Sequence, residues 1–203
     1  MLGFKKRDIF IFVSVLFVVV FSYFYVDKGL ALYFHKLKGS ALEDFISSLS
    51  FLGKSHWYLI PSILLFYIFK RMKRYRYAQM ALYVFVTNVV AGLGVWLLKV
   101  PFGRLRPKML FNQGAYGFEG FGIHYSYVSF PSGHSITIFS TATALALLFP
   151  RLSIPLFVTA TLIAFSRVTV GAHYFSDVVM GSYLGILVAI VLYRKMILEK
   201  DFA

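Results

Sequence analysis

YAQMALYVFVTNVVAGLGVWLLKVPFGRLRP, residues 77–107, decides the class of this protein. From 77 to 98 no residue carries a charge, and the apolar residues form a continuous run with neither helical nor strand alternation. About 20 such residues cross a bilayer as a helix. Lys99, Arg104 and Arg106 then follow closely, with Pro107 behind them. A single cation at the end of a span is an ordinary anchor. Several in one short stretch raise the question of what they hold.

The rest of the chain matches that opening. Of its 203 residues 59% are hydrophobic and 14% charged, against about a quarter charged in a soluble domain. Six spans are predicted, over 8–26, 56–69, 77–98, 134–150, 152–171 and 177–193. The second is short, with Trp57 and Tyr58 at one end and Lys70 and Arg71 at the other as interfacial anchors. The apolar run after Lys5, Lys6 and Arg7 is too long for a signal-peptide core and lacks a small-x-small cleavage site, so it reads as a retained span. The expected architecture is all-α and polytopic, a single domain over 1–203.

Between spans 1 and 2, SALEDFISSLSFLG reads as an amphipathic helix on the membrane surface. Ser40 and Glu43 fit a capping box, and Leu42, Phe45, Ile46 and Leu49 follow the i, i+3, i+4, i+7 spacing of one apolar face. Simple cover for the spans and a role in gathering substrate both suit it.

Orientation comes from the short loops. Lys5, Lys6, Arg7, the run Lys70 to Arg76, Arg151, Arg194, Lys195 and Lys200 would share one side and include most of the 21 basic residues. Positive charge in short loops marks the cytoplasmic side. Both termini are then expected inside, and segments 27–55, 99–133 and 172–176 outside. The net charge of +13 follows membrane topology and does not point to nucleic acid. The absence of cysteine excludes disulfides and thiolate metal sites.

Three clusters meet on the outer face. The first holds Lys99 and Arg106, the second is PSGHS with Ser132, Gly133 and His134, and the third is SRVTVGAHYFSD, with Ser166, Arg167, His173 and Asp177. Lys99, Arg106 and Arg167 concentrate positive charge suited to phosphate. PSGHS opens a helix: Ser132 caps it or donates to an anion, and Gly133 lets the backbone approach where free N–H groups favour negative charge. His173 and Asp177, four apart, share a helical face if a helix covers them. The carboxylate then fixes the imidazole tautomer and leaves the other nitrogen to attack. His134 comes from another helix and suits the acid that protonates a leaving oxygen.

Arg104 and Lys108 read as loop charges, and His35, His56 and His124 as interfacial or loop residues. A metal set of His134, His173 and Asp177 is disfavoured by three neighbouring cations. No HExxH or Walker A pattern is present. Metal and cofactor are both expected to be none.

Those residues resemble the type 2 phosphatidic acid phosphatase superfamily, which carries Lys-x6-Arg-Pro, Pro-Ser-Gly-His and Ser-Arg-x5-His-x3-Asp. Here Lys99 and Arg106-Pro107, Pro131 to His134, and Ser166-Arg167, His173 and Asp177 match them in order. The resemblance implies a metal-independent phosphatase with a phosphohistidine intermediate. It assigns His173 as nucleophile, Asp177 as its orienter and His134 as general acid. Lys99, Arg106, Ser132, Gly133, Ser166 and Arg167 would bind phosphate. Six spans favour the lipid phosphatase branch over the soluble haloperoxidases. GRLRPKMLFNQGAYGFEGF followed by YVSFPSGHS is similar to bacterial lipid A 1-phosphatases. Phosphatidylglycerophosphate and undecaprenyl diphosphate phosphatases share the motifs, and a non-catalytic lipid or anion transporter is a further alternative. The implied setting is the bacterial inner membrane, with a lipid phosphate substrate and the site on the outer face. Aromatic residues in 109–130 suit either a lipid entry or an interfacial belt.

Overall fold

The computed structural model describes residues 5–199. Its main elements are α1 (Lys6–Tyr25), α2 (Asp27–Lys36), α3 (Ala41–Phe51), α4 (His56–Arg71), α5 (Tyr75–Phe102), α6 (Pro107–Gln113), α7 (Gly133–Leu148), α8 (Ser153–Thr169) and α9 (Phe175–Tyr193). Among the described residues there is no strand, only an isolated bridge between Arg104 and Phe118.

Four segments are long and apolar enough to cross a membrane: Lys6–Tyr25, Tyr75–Phe102, Pro150–Thr169 and Phe175–Leu198. The two other expected spans form helices of 16 residues each, α4 and α7. At about 1.5 Å per residue these are shorter than a hydrocarbon core of about 30 Å. Lys200 lies outside the described residues. Helix α1 turns Phe10, Phe17 and Phe24 outward, a surface that only lipid or another apolar partner would cover.

Helix α7 is the centre of the bundle. It packs against α5, α8 and α9. Its inner positions are small or hydroxyl-bearing, among them Ser140, Thr141, Ala142 and Ala144, all buried. The tightest crossing is with α9. A Cβ on Gly181 would lie 2.6 Å from the Ser132 carbonyl oxygen, and one on Gly185 2.5 Å from that of Ile136. Glycines four apart therefore let the two backbones touch. In lipid, where burial gives no hydrophobic gain, close backbone contact is a main source of helix association. The crossing brings the N-terminal ends of α7 and α9 together, and the Ser132 N–H donates to the Asp177 carbonyl at 3.0 Å.

Polar bonds tie the other crossings. The Tyr83 hydroxyl on α5 donates to the Ala189 carbonyl on α9 at 2.8 Å. Thr141 donates to the Asn88 side-chain oxygen at 3.0 Å. An apolar cluster of Ile138, Ala142, Ala160, Ile163, Ala164, Val168 and Val178 joins α7, α8 and α9.

The segment between α1 and α4 holds more helix than expected, since α2 precedes the surface helix. In α3 the Ser40 hydroxyl accepts the Glu43 N–H at 3.3 Å, as the capping pattern requires. The Glu43 carboxylate reaches past Ser40 to the Gly39 N–H, at 2.5 Å. Ile46 and Leu49 are half-buried and α3 packs on α8, whereas Phe45 stays exposed. The Leu42 side chain lies outside the described residues.

Candidate active site

The C-terminal ends of α5 and α8 meet the N-terminal ends of α7 and α9, so the three sequence clusters converge at one end of the bundle. Helix α5 stops at Gly103, whose φ of +51° ends it in the left-handed region. Arg104 then pairs with Phe118 in an isolated bridge, and Arg106 is extended before Pro107 opens α6. Backbone bonds hold this strip: Leu105 N–H to the Gly117 carbonyl at 3.0 Å, Arg106 N–H to Ser126 at 2.9 Å, and Ser129 N–H to Arg104 at 3.0 Å.

Lys99 and Arg106 are buried and share an acceptor. Lys99 Nζ donates to the Val128 carbonyl at 2.6 Å, and Arg106 Nη2 donates to it at 3.3 Å. Arg106 also donates to the carbonyls of Tyr125 (2.8 Å) and Ala172 (2.9 Å). Its guanidinium lies 3.9 Å from the centroid of the Tyr125 ring. These carbonyls are neutral partners for cations that an anion would hold more strongly.

His173 lies in the turn before α9 and is 2% exposed. Its Nδ1 faces Asp177 Oδ2 at 3.5 Å, and its Nε2 faces Arg106 Nη1 at 3.5 Å. The two nitrogens thus point to different partners, one anionic and one cationic. Burial holds the imidazole well below its usual pKa; the Asp177 hydrogen bond opposes this, and the charges of Arg106 and Lys99 reinforce it. The ring is therefore neutral at neutral pH, the form that can attack.

Asp177 is fully buried and caps α9. Its Oδ2 accepts the Tyr174 N–H at 2.9 Å and the Ser129 hydroxyl at 2.6 Å, and its Oδ1 is paired with Arg104 Nη1. Arg104, expected as a loop charge, has no exposed surface. Its Nη2 bonds Asp27 Oδ2 at 2.7 Å, and its Nη1 bonds the Ser176 hydroxyl at 2.6 Å. Burial opposes its charge, and Asp177 and Asp27 more than offset that, so its pKa lies above the ordinary arginine value. Asp27, at the start of α2, also accepts the Ser176 N–H at 2.9 Å and the Ser176 hydroxyl at 2.5 Å. Sequence reasoning missed Arg104, Asp27, Ser129 and Ser176. One signal existed for Asp27: an acid directly after an apolar run, where a bare carboxylate is costly.

The remaining expected residues sit around this centre. Ser132 caps α7, its hydroxyl accepting from the Ser135 N–H at 3.4 Å and the Ser135 hydroxyl at 2.9 Å. A Cβ on Gly133 would lie 3.9 Å from Lys99 Cε. His134, in the first turn of α7, lies among the charges of Arg167, Arg106, Lys54 and Lys99. Gly53 packs against it so closely that an added Cβ would be 2.7 Å from its Cδ2. Arg167 accepts the Ala172 and His173 N–H groups on its carbonyl, at 3.0 and 3.1 Å, while its side chain bonds Ser50 of α3. Ser166 is turned away: its hydroxyl donates to Ile163 within α8 at 2.6 Å. Among the described residues no group of three or more His, Asp or Glu is placed to hold a metal ion.

Comparison with known proteins finds a family match and similar chains. Residues 76–200 match the family model of the PAP2 superfamily. A lipid A 1-phosphatase of Rhizobium etli is 38% identical over 176 residues, covering 79% of this chain and 76% of that protein. One from Rhizobium johnstonii is 40% identical over 163 residues, covering 73% and 67%. The crystal structure of a transmembrane PAP2-type phosphatidylglycerolphosphate phosphatase from Bacillus subtilis superposes with a TM-score of 0.70 at 21% identity, over 98% of each chain. That of Aquifex aeolicus LpxE gives 0.63 at 24% identity, over 83% of this chain and 95% of the other. At those identities the two structures speak to the fold.

Proposed function

The chain belongs to the PAP2 superfamily, and from that premise we propose that it is a membrane lipid phosphatase acting on the 1-phosphate of lipid A. The observation that carries the chemistry is the two-sided setting of His173, Nδ1 towards Asp177 and Nε2 towards Arg106.

Asp177 holds the proton on Nδ1, so the lone pair lies on Nε2, facing the cations. The phosphate sits among Lys99, Arg106 and Arg167 and the N–H groups at the start of α7. Its oxygens replace the carbonyls that the buried cations now engage. Ser132, Gly133 and Ser166 complete the cradle, the two hydroxyls after leaving their present bonds. Nε2 attacks phosphorus, a P–N bond forms, and the bond to the lipid oxygen breaks as His134 delivers a proton to it. Water, deprotonated by His134, then cleaves the P–N bond and releases inorganic phosphate. Positioning and charge supply most of the acceleration in such transfers.

The single domain over 1–203 spans a bacterial inner membrane six times, α4 and α7 included, with α3 on its surface. Both termini are cytoplasmic and the site is at the outer face. Support comes from the basic residues of the short loops and from the position of all three clusters at one end of the bundle.

The test is phosphate release in detergent from lipid A, phosphatidylglycerophosphate, undecaprenyl diphosphate and phosphatidic acid, compared by kcat/KM. Lipid A is expected to lead, and EDTA to leave the rate unchanged. Enzyme quenched in alkali, where a P–N bond survives, is expected to carry phosphate on His173. Substrate movement across a bilayer without release would make the chain a transporter instead.

A further inference from the structure

A groove of about 400 Å³ opens beside the site, lined in part by Arg106, Tyr125 and Ala172. It is also lined by His35, Lys38 and Lys108, from α2, the turn after it, and α6. None of these three belongs to a superfamily motif, and the reaction as written uses none of them. Its volume falls in the range of ligand pockets, about 300–1,000 Å³.

Three features make the groove a site and not a gap. First, its charge is positive: Arg106, Lys38 and Lys108 line it against one carboxylate, Glu43. That carboxylate is already engaged by the Gly39 N–H at 2.5 Å. A concave surface of net positive charge concentrates anions. Second, it has a flat platform. The His35 ring stacks on Phe111 at 3.9 Å and 14°, rigid contact area at small entropic cost. Gly171, with φ at +65°, passes so close under Phe111 that a Cβ would lie 3.2 Å from Cε2, so the turn leading to His173 fits below the platform. Third, Arg106 belongs to both places. It lines the groove and stands 3.5 Å from His173 Nε2, so one guanidinium borders both places.

We propose that this groove is a second anion subsite, taking a further phosphoryl group of the same lipid head group whose reacting phosphate lies at His173. Lys38 and Lys108 supply the charge, and the His35–Phe111 pair supports the group between the two phosphates. The proposal rests on the phosphatase reading and adds a basis for choosing among lipids. It differs from interfacial anchoring in a measurable way: an anchor affects every substrate alike, whereas the subsite acts only on a head group with a second anion.

The full chain in detergent, wild type and Lys38→Gln/Lys108→Gln, is assayed on lipid pairs with one or two phosphoryl groups. Phosphatidic acid is set against phosphatidylglycerophosphate, where the second group is a nearby diester. Lipid A with only its 1-phosphate is set against the bisphosphate, where it is a remote monoester. On at least one two-phosphate lipid the double variant is expected to lose about tenfold in kcat/KM, mainly through KM, and less than about threefold on its one-phosphate counterpart. The pair that responds identifies the source of the second anion. Lys38→Glu/Lys108→Glu is expected to widen the difference, with an unchanged melting temperature in detergent confirming an intact fold. Equal losses within both pairs, or no loss, overturn the subsite while leaving the phosphatase intact. No release from any lipid by the wild type overturns the phosphatase reading and the subsite together.

Discussion

Arg104 and Asp177 form a salt bridge in which neither side chain has any exposed surface. Asp27 closes the other side of the same guanidinium. The carboxylate that faces His173 is thus itself held by an arginine at a variable position of the first motif and by an acid on α2.

Removing one partner of a buried pair leaves an uncompensated charge, at a cost of about 3–5 kcal/mol. Arg104→Ala is therefore expected to lower the melting temperature in detergent sharply, and Asp27→Asn to do so less, because amide oxygen can still accept from Ser176. Arg104→Lys keeps the charge but loses the fork that spans Asp27, Ser176 and Asp177. It is expected to fold and to lose kcat at nearly constant KM. A stable Arg104→Ala with full activity would contradict the arrangement.

The two histidines should fail differently. His173→Ala removes the proposed nucleophile, so neither phosphate release nor alkali-stable labelling by a substrate with radioactive phosphate is expected. His134→Ala keeps the nucleophile and loses the proton donor, a loss of about 10²–10⁴ in rate. With a substrate whose leaving group needs no proton, such as a nitrophenyl phosphate, His134→Ala should still form the phosphoenzyme and hydrolyse it slowly. Labelled His173→Ala would place the nucleophile elsewhere.

The depressed pKa of His173 has a defined sign. In the proposed reaction Nε2 attacks as neutral imidazole, and burial favours that neutral form, so activity is expected to persist as pH falls and to be lost when the ring protonates below 6.5. Nitrogen NMR of histidine-labelled protein in detergent, with His173→Ala identifying the resonance, is expected to show a midpoint below that of ordinary imidazole. A midpoint at or above 6.5 would refute the neutral-nucleophile assignment.

Gly185 tests the helix crossing behind the site. A methyl group there meets the Ile136 carbonyl oxygen at 2.5 Å and the Ser140 nitrogen at 2.9 Å, both backbone atoms that cannot rotate away. Gly185→Ala is expected to cost about 1–3 kcal/mol and to lower kcat by parting His134 from His173. Gly94→Ala, where nothing lies within 4 Å of an added Cβ, is the matched control in α5. Equal effects from both would argue against the close α7–α9 contact.

Much of this protein was legible from local pattern. The apolar run before Lys99 marks a membrane helix by length and composition alone. The spacing of Lys99 with Arg106, the PSGH tetrapeptide, and His173 four residues before Asp177 carry the site with no knowledge of packing. The capping of α3 by Ser40 was readable as well. The fate of Arg104 was not, because an arginine beside Arg106 in a polar strip looks the same whether it faces water or two acids. Ser166 shows the converse: its motif position implied a phosphate ligand, while in the fold its hydroxyl is bonded within α8.

The sequence by itself determined the class, an all-α membrane protein, and the three clusters of chemical groups, since hydropathy and short spacings are properties of neighbouring residues. Only the tertiary structure decided what those groups face. Asp27 lies 77 residues from Arg104 and 149 from Ser176, yet bonds both. Gly181 and Gly185 matter through the backbone of another helix. His35 and Lys108 border one groove because α2 and α6 dock beside it. A buried charge requires a partner but does not specify which, and in this chain the packing of distant helices made the choice.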